Sequence, residues 1–114
     1  MNGRDVSTQL RKGVVEGCVL AVLSNDPMHG WELARGLQSR GGIIGSIGTL
    51  YPILTRLEQA GQLSSREERA ESGRRRRTYA ITPAGRAQLA EFRQQWATFV
   101  ADVSEVLDPE GTRQ

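Results

Sequence analysis

A mainly α fold with one β-hairpin and a long C-terminal helix is what the sequence predicts, and three observations carry it. Apolar residues recur at helical spacing in three blocks before residue 61. The pattern switches to period two between residues 62 and 81, and a threonine-proline start at residues 82 and 83 then opens a stretch whose apolar residues keep spacings of three and four as far as Val106. A chain of 114 residues builds one compact core but hardly two, so function rests on one small scaffold or on an assembly.

The first block runs from Leu10 to Leu23. Leu10, Val14, Cys18 and Val22, flanked by Val15, Val19 and Leu23, mark the inner stripe of a helix. Ser24-Asn25-Asp26-Pro27 stops it, because proline lacks an N–H and restricts the residue before it to extended conformations. A second helix is expected from His29 to Ser39 with Trp31, Ala34 and Leu37 inward, ended by Gly41-Gly42. The third runs to Ala60 with Leu50, Ile53, Leu54 and Leu57 inward and Gly61 as its stop. Ser46 is placed to cap it, but Pro52 fits only near a helix start, so the regular helix begins at Ser46, at Gly48 or Thr49, or bends.

From Gln62 to Arg69 and from Arg76 to Ile81 the alternation is that of two strands, with Leu63, Tyr79 and Ile81 inward and Ser, Glu and Arg opposite. Ala70-Glu71-Ser72-Gly73 forms the tip of the hairpin. Thr82 is the N-cap and Pro83 the first residue of the last helix, which extends to Leu107. Along it Leu89, Phe92, Trp96, Phe99, Val103 and Val106 follow at intervals of 3, 4, 3, 4 and 3, an a/d seam. A helix of this length reaches roughly 36 Å, more than so small a domain can cover, and a second copy of the chain is the economical partner. The expected organisation is residues 1–82 as a head, 83–107 as a dimerisation helix and 108–114 as a disordered tail.

Three helices, a hairpin and a further helix follow the order of a winged helix-turn-helix, which presents its third helix to the DNA major groove. Thr49, Pro52, Arg56 and Gln59 recur on the outer face of that helix, with Tyr51 and Thr55 at its margins and Ser46 before it. Arginine pairs with a guanine edge or a phosphate, glutamine with adenine, and the hydroxyls with phosphates; a merely solvated polar face has the same residue types. At the hairpin, Arg74, Arg75, Arg76 and Arg77 are adjacent and repel one another unless an anion lies nearby. On a wing they would meet the DNA backbone or enter a minor groove, although such a run is also compatible with a nonspecific patch.

Net charge supports this only through its distribution. The total is +2, but residues 1–83 hold 12 basic against 8 acidic side chains, and residues 84–114 hold 3 against 5. Fourteen of the 15 basic residues are arginine, which suits phosphate chemistry and also a GC-rich genome. One cysteine, Cys18, forms no internal disulfide and reads as a small buried hydrophobe, in keeping with a reducing cytoplasm. No apolar signal core or membrane span is present, and one His with one Cys argues against a metal site. With no nucleophile–base pair, paired acids or phosphate loop, no catalytic residue and no cofactor is expected.

The runs MHGWELARGL, GTLYPILTRLEQAGQL and ESGRRRRTYAITPAGR occur in the order and spacing of the PadR family of bacterial regulators, and residues 10 to 90 resemble that family. The most specific matches are Gly48-Thr49-Leu50-Tyr51-Pro52, Leu57-Glu58 with Gly61, the glycine-then-arginine wing, and Tyr79 followed by Thr82-Pro83-Ala84-Gly85. Trp31 departs from the tyrosine usual after His-Gly, and the single C-terminal helix resembles the short subfamily. The resemblance implies a winged helix whose C-terminal helices form a twofold dimer. It also implies a sequence-specific transcriptional regulator, a repressor, on the pseudo-palindromic operators of double-stranded DNA in the nucleoid.

In a multidrug-sensing member of that family a tryptophan on the corresponding helix stacks on flat aromatic ligands between subunits. Trp96 with Phe92 and Phe99 looks similar, so a small aromatic effector at the dimer interface is one reading and plain seam packing the other. The rival to DNA readout is a winged-helix protein–protein adaptor.

Overall fold

The computed structural model describes residues 6–40, 43, 44 and 46–109. The side chain of Leu10, the glycines Gly41 and Gly42, and the tail from residue 110 onward lie outside the described residues. Its elements are α1 (Val6–Leu23), β1 (Met28–His29), α2 (Gly30–Gln38), a 3-10 turn (Ile47–Thr49), α3 (Leu50–Gln59), β2 (Leu63–Arg69), β3 (Arg75–Ile81) and α4 (Pro83–Leu107). The strands form one antiparallel sheet in the order β1-β3-β2.

The core is leucine-rich and lies where α1, α2 and α3 meet above this sheet. Val19, Leu20 and Leu23 of α1, Leu33 and Leu37 of α2, and Leu50 and Leu54 of α3 are all at most 1% exposed. Each such leucine contributes about 1.5–3 kcal/mol over its exposed state. Leu63, Tyr79 and Leu89 close the core from the sheet and from α4.

Several expectations shift. α1 begins a turn earlier than Leu10, and its buried face is centred on Val15, Val19 and Leu23, leaving Val14, Cys18 and Val22 half-buried at the edge. Partial burial still pushes the Cys18 thiol up from its ordinary pKa, since a thiolate there would lose solvation. Trp31 is not inward but 46% exposed: Leu33, Ala34 and Leu37 define the buried face of α2, and at 100° per residue Trp31 falls outside it. α2 ends at Gln38, with the Ser39 amide donating to the Arg35 carbonyl at 3.0 Å, so its last turn closes before the glycine pair.

Ser46 is extended (φ −145°, ψ 155°) and makes no side-chain cap; instead its carbonyl accepts the Thr49 hydroxyl at 2.7 Å. Regular α-helix starts at Leu50, which makes Pro52 the third helical residue, where no N–H is needed. The strand β1 has two residues and pairs Met28 with Tyr79 and His29 with Thr78.

The hairpin follows the expected bounds within a residue. Leu63 faces Ile81 and Arg69 faces Arg75, with Gly73 at φ +88° in the tip. Gly61 (φ +78°) ends α3 in the left-handed conformation.

The start of α4 is fastened to this corner. The Thr82 hydroxyl donates to the Gly61 carbonyl at 2.6 Å and accepts the Gly85 amide at 3.0 Å, while the Thr82 amide donates to the Gln62 carbonyl at 3.1 Å. A Cβ at Gly85 would overlap that same Gln62 carbonyl, so only glycine allows the approach. Arg86 reaches the Ser24 carbonyl at the end of α1 (3.3 Å), and Phe92 lies against Gly17, where a Cβ would overlap its ring. α4 therefore runs back along α1 from a fixed origin.

Candidate nucleic-acid interface

α3 buries Leu50, Leu54 and Leu57, which puts Pro52, Thr55 and Gln59 along its exposed ridge. The two margins of the ridge are engaged differently. On one side Arg56 forms an ion pair with Glu16 of α1. On the other, Tyr51 is 42% exposed and leans toward the sheet over Gly30, at which a Cβ would stand 3.3 Å from Cε1 of Tyr51 and 3.3 Å from Cε2 of Tyr79. Glycine there lets both rings close on the start of α2. Burial raises the Tyr79 phenol above its ordinary pKa, leaving it a neutral hydroxyl.

The arginine run is resolved by the strand period. Arg75 and Arg77 share the Tyr79 face, together with Ser65 and Glu67 of β2, so polar groups continue the inner face beyond the core rather than occupying only the outer one. Arg77 donates to the Ser65 hydroxyl at 2.9 Å, and Ser65 donates to Oε2 of Glu58 at 2.7 Å, a chain that ties the wing to α3. Arg75 pairs with Glu67 at 3.6 Å. Arg74 and Arg76 have no ion pair with the described residues, and Nε of Arg76 is buried without a hydrogen-bond partner. The four cations thus divide into two that are compensated and two that are not.

On the opposite face of the sheet, Thr78 joins His29 and Glu68. Its hydroxyl donates to Oε1 of Glu68 at 3.0 Å and so accepts from Nδ1 of His29 at 3.1 Å. The Thr78 hydroxyl, then the Arg66 guanidinium, hold the Glu68 carboxyl below the usual glutamate range. His29 is also the N-cap residue of α2, its amide donating to Glu32 at 3.1 Å.

Tyr51, Trp31, Gly30, Tyr79 and residues 74–77 border one groove of about 610 Å³ between α3, the start of α2 and the wing. Residues 19–91, which include the third helix with its polar ridge and the arginine-bearing hairpin, match the sequence model of the transcriptional regulator PadR-like family. The chain belongs to the PadR-like family. Members are DNA-binding transcriptional regulators rather than enzymes.

The chain is 44% identical over 86 residues to the transcriptional regulator Rv3488 of Mycobacterium tuberculosis, covering 75% of this chain and 78% of that protein. A PadR-like transcriptional regulator from Bacillus cereus superposes with a TM-score of 0.77 at 34% identity, over 88% of this chain and 97% of that one. A PadR family regulator from Eggerthella lenta does so with a TM-score of 0.74 at 33% identity, over 89% and 88% of the two chains. These matches establish the winged-helix architecture for this PadR-like chain. Among the described residues no helix is long and apolar enough to cross a membrane, and no group of three His, Cys, Asp or Glu side chains could hold a metal ion.

Of the sequence-derived site residues, Tyr51 and Arg74 to Arg77 meet at the groove, and Pro52, Thr55 and Gln59 continue from it along the ridge. Ser46 and Thr49 stand in the turn before α3. Arg56 is directed to Glu16, a partner 40 positions away that local pattern does not reveal. Trp31 and Gly30 also belong to the groove; the signal in sequence is the departure at Trp31 from the family's tyrosine. The seam of α4 is buried at Leu89, half-buried at Phe92 and Val103, and exposed at Trp96 (44%), Phe99 (55%) and Val106 (78%). Phe92 and Trp96 stack, with centroids 6.2 Å apart and planes at 16°.

Proposed function

We propose that this chain is a homodimeric repressor that reads a pseudo-palindromic operator, each head placing α3 in a major groove and its wing on the flanking backbone. In this reading residues 1–82 form the DNA-binding unit and 83–107 the dimerisation helix, with 108–114 as a tail. Arg56 and Gln59 read base edges beside Pro52, with Ser46, Thr49, Tyr51, Thr55 and Arg74 to Arg77 on phosphates. Twofold symmetry sets the half-sites about one helical turn, roughly 34–36 Å, apart.

The supporting observation is the shared groove: Tyr51 of α3 and the uncompensated Arg74 and Arg76 border one surface, so a single duplex can touch both. The bare stripe of Trp96, Phe99 and Val106 supports the dimer, because an apolar face that a single chain leaves in water is best covered by its own copy. Repression then follows from occlusion of a promoter. A flat aromatic effector lodged among Phe92, Trp96 and Phe99 of the two subunits would alter the separation of the heads and release the operator. The protein acts in the cytoplasm, on the nucleoid.

Mobility-shift titration of the dimer at two salt concentrations tests the reading. Binding to duplex DNA that falls steeply with salt supports it, and no binding at low salt refutes it in favour of an adaptor role.

A further inference from the structure

Both flanks of α3 are held by charged side chains, but by different means. On the wing side Glu58 accepts from the Ser65 hydroxyl at 2.7 Å, and that hydroxyl in turn accepts from Arg77. On the other flank the acceptor comes from α1, where the Glu16 carboxylate pairs directly with Nη2 of Arg56. Among the described residues neither member of this pair has a second ion-pair partner. The Arg56 side chain is 60% exposed and that of Glu16 26%, so the carboxylate is the sheltered member and the guanidinium keeps an open side.

Glu16 is not free to follow Arg56. Its neighbours in α1 are both buried, Val15 in the core and Gly17 beneath the Phe92 ring, which a Cβ at that position would overlap. The carboxylate therefore projects from a closely packed stretch of helix, and the longer side chain comes to it. A guanidinium has five N–H donors, and pairing through Nη2 leaves the rest of the fork open to another acceptor. Two consequences follow. The carboxylate offsets the charge of Arg56, which weakens its attraction for phosphate, an anion present at every step of any duplex. Guanine O6 and N7 are uncharged acceptors that do not repel Glu16, and they require a guanidinium fork in a set direction, which the pair supplies by restraining a side chain otherwise mobile.

We propose that Glu16 is a positioning residue for sequence readout, one that withholds Arg56 from phosphates and holds it for a guanine edge. This rests on the base-reading role given to Arg56 above. α1 then sets specificity through α3, and the quantity it controls is the ratio of operator affinity to random-duplex affinity. Total affinity is a poorer guide, because removing any negative charge near a polyanion strengthens binding to every duplex alike. A fall in the ratio that requires Arg56 is what the positioning role alone produces.

The test is a double-variant cycle on DNA. Binding sites are first selected from a randomised duplex pool with the unmodified protein. Affinities for the enriched sequence and for a scrambled duplex are then measured by fluorescence anisotropy at several salt concentrations, for the unmodified protein, Glu16→Gln, Arg56→Ala and the two combined. In Glu16→Gln the ratio of the two affinities should fall about threefold or more, mainly through tighter binding to the scrambled duplex. The slope of log affinity against log salt on that duplex should steepen by about 0.9 as Arg56 takes up a phosphate. In the Arg56→Ala background the same replacement should change neither the ratio nor the slope. Glutamine keeps the size of the side chain, circular dichroism checks the fold, and Glu16→Ala should act in the same direction. A merely structural role for Glu16 would shift both backgrounds equally, and that result overturns the proposal. An unchanged ratio in Glu16→Gln also overturns it. A pool that enriches no sequence overturns the sequence-specific reading and this proposal with it, whereas an enriched sequence whose ratio is indifferent to Glu16 overturns this proposal alone.

Discussion

The wing and α4 each begin inside the head and end outside it, but they leave different chemistry unsatisfied. α4 starts with Leu89 buried and Phe92 set against Gly17, then carries Trp96, Phe99 and Val106 into solvent. The wing starts with Tyr79 in the core and Arg77 tied through Ser65 to Glu58, then ends on Arg74 and Arg76, which have no ion-pair partner among the described residues. One projection lacks apolar contacts and the other lacks anions. Under the proposed function the two projections would take different partners, a second copy of the chain for α4 and a polyanion for the wing.

The largest effect should come from removing the apolar side of this contrast. Trp96→Ala with Phe99→Ala deletes two large side chains from each subunit, and a twofold interface counts every change twice. At about 1.5–3 kcal/mol per buried side chain, the dimer dissociation constant should rise on the order of a thousandfold or more. Sedimentation equilibrium reads this directly. The far-ultraviolet spectrum of the resulting monomer should stay close to that of the unmodified protein, since both side chains are exposed within one chain. A double variant that remains dimeric at the same concentration breaks the comparison, because the stripe would then be surface and the dimer would lie elsewhere.

The control for that experiment is a residue on the satisfied side. Leu54 has no exposed surface, and Leu54→Ala should cost about 2–5 kcal/mol of unfolding free energy through lost transfer energy and the cavity left behind. Denaturant titration at fixed protein concentration should show a lower midpoint. The contrast with Trp96 and Phe99, whose loss should act through dimerisation, then separates core from interface.

The charged side is sharpened by comparing arginines within the wing. Replacing Arg74 and Arg76 by Ala should make the slope of log affinity against log salt shallower by about 1.8, if each meets a phosphate. Replacing Arg75 and Arg77 should do less, since each must first leave Glu67 or Ser65. Arg56→Ala differs in kind. A guanine contact would be worth about 1–3 kcal/mol at one base position, so specificity should relax. Equal losses on operator and random duplex would remove Arg56 from the base-reading set and leave it as the partner of Glu16.

How much of this was legible in sequence depended on the range of the interaction. The bounds of α4 were readable because Thr82 and Pro83 act locally, as cap and first-turn residue, and Gly61 and Gly73 mark left-handed backbone within their own turns. β1 was not readable. Two residues carry no period, and they become a strand only because Tyr79 and Thr78 lie beside them. Residue size alone points Trp31 inward, whereas Leu33, Ala34 and Leu37 fix the buried face of so short a helix and leave the indole outside it. At the site, residue types on α3 and on the wing were visible, but the Arg56–Glu16 and Arg77–Ser65–Glu58 links join separate segments and decide which cations stay free.

The smallest effect concerns the link from the start of α2 to the wing. Thr78 donates to Glu68 and accepts from His29, so Thr78→Val leaves both groups without their shared partner. The hydroxyl is the main reason the Glu68 carboxyl is held below the usual glutamate range. A carboxyl depressed in the folded state stabilises the fold at pH above its unfolded value, and that contribution disappears as pH falls through the folded value. The unmodified protein should therefore lose stability over a window that opens at the ordinary glutamate range and extends below it, and Thr78→Val should flatten the curve there. Because Glu68 is only half-buried and water screens its charge, the difference should be small, and thermal melts from pH 6 down to pH 3 at low salt offer the best chance of resolving it. Parallel curves for the two proteins would mean that Thr78 positions His29 for α2 without coupling the charge of the wing to it.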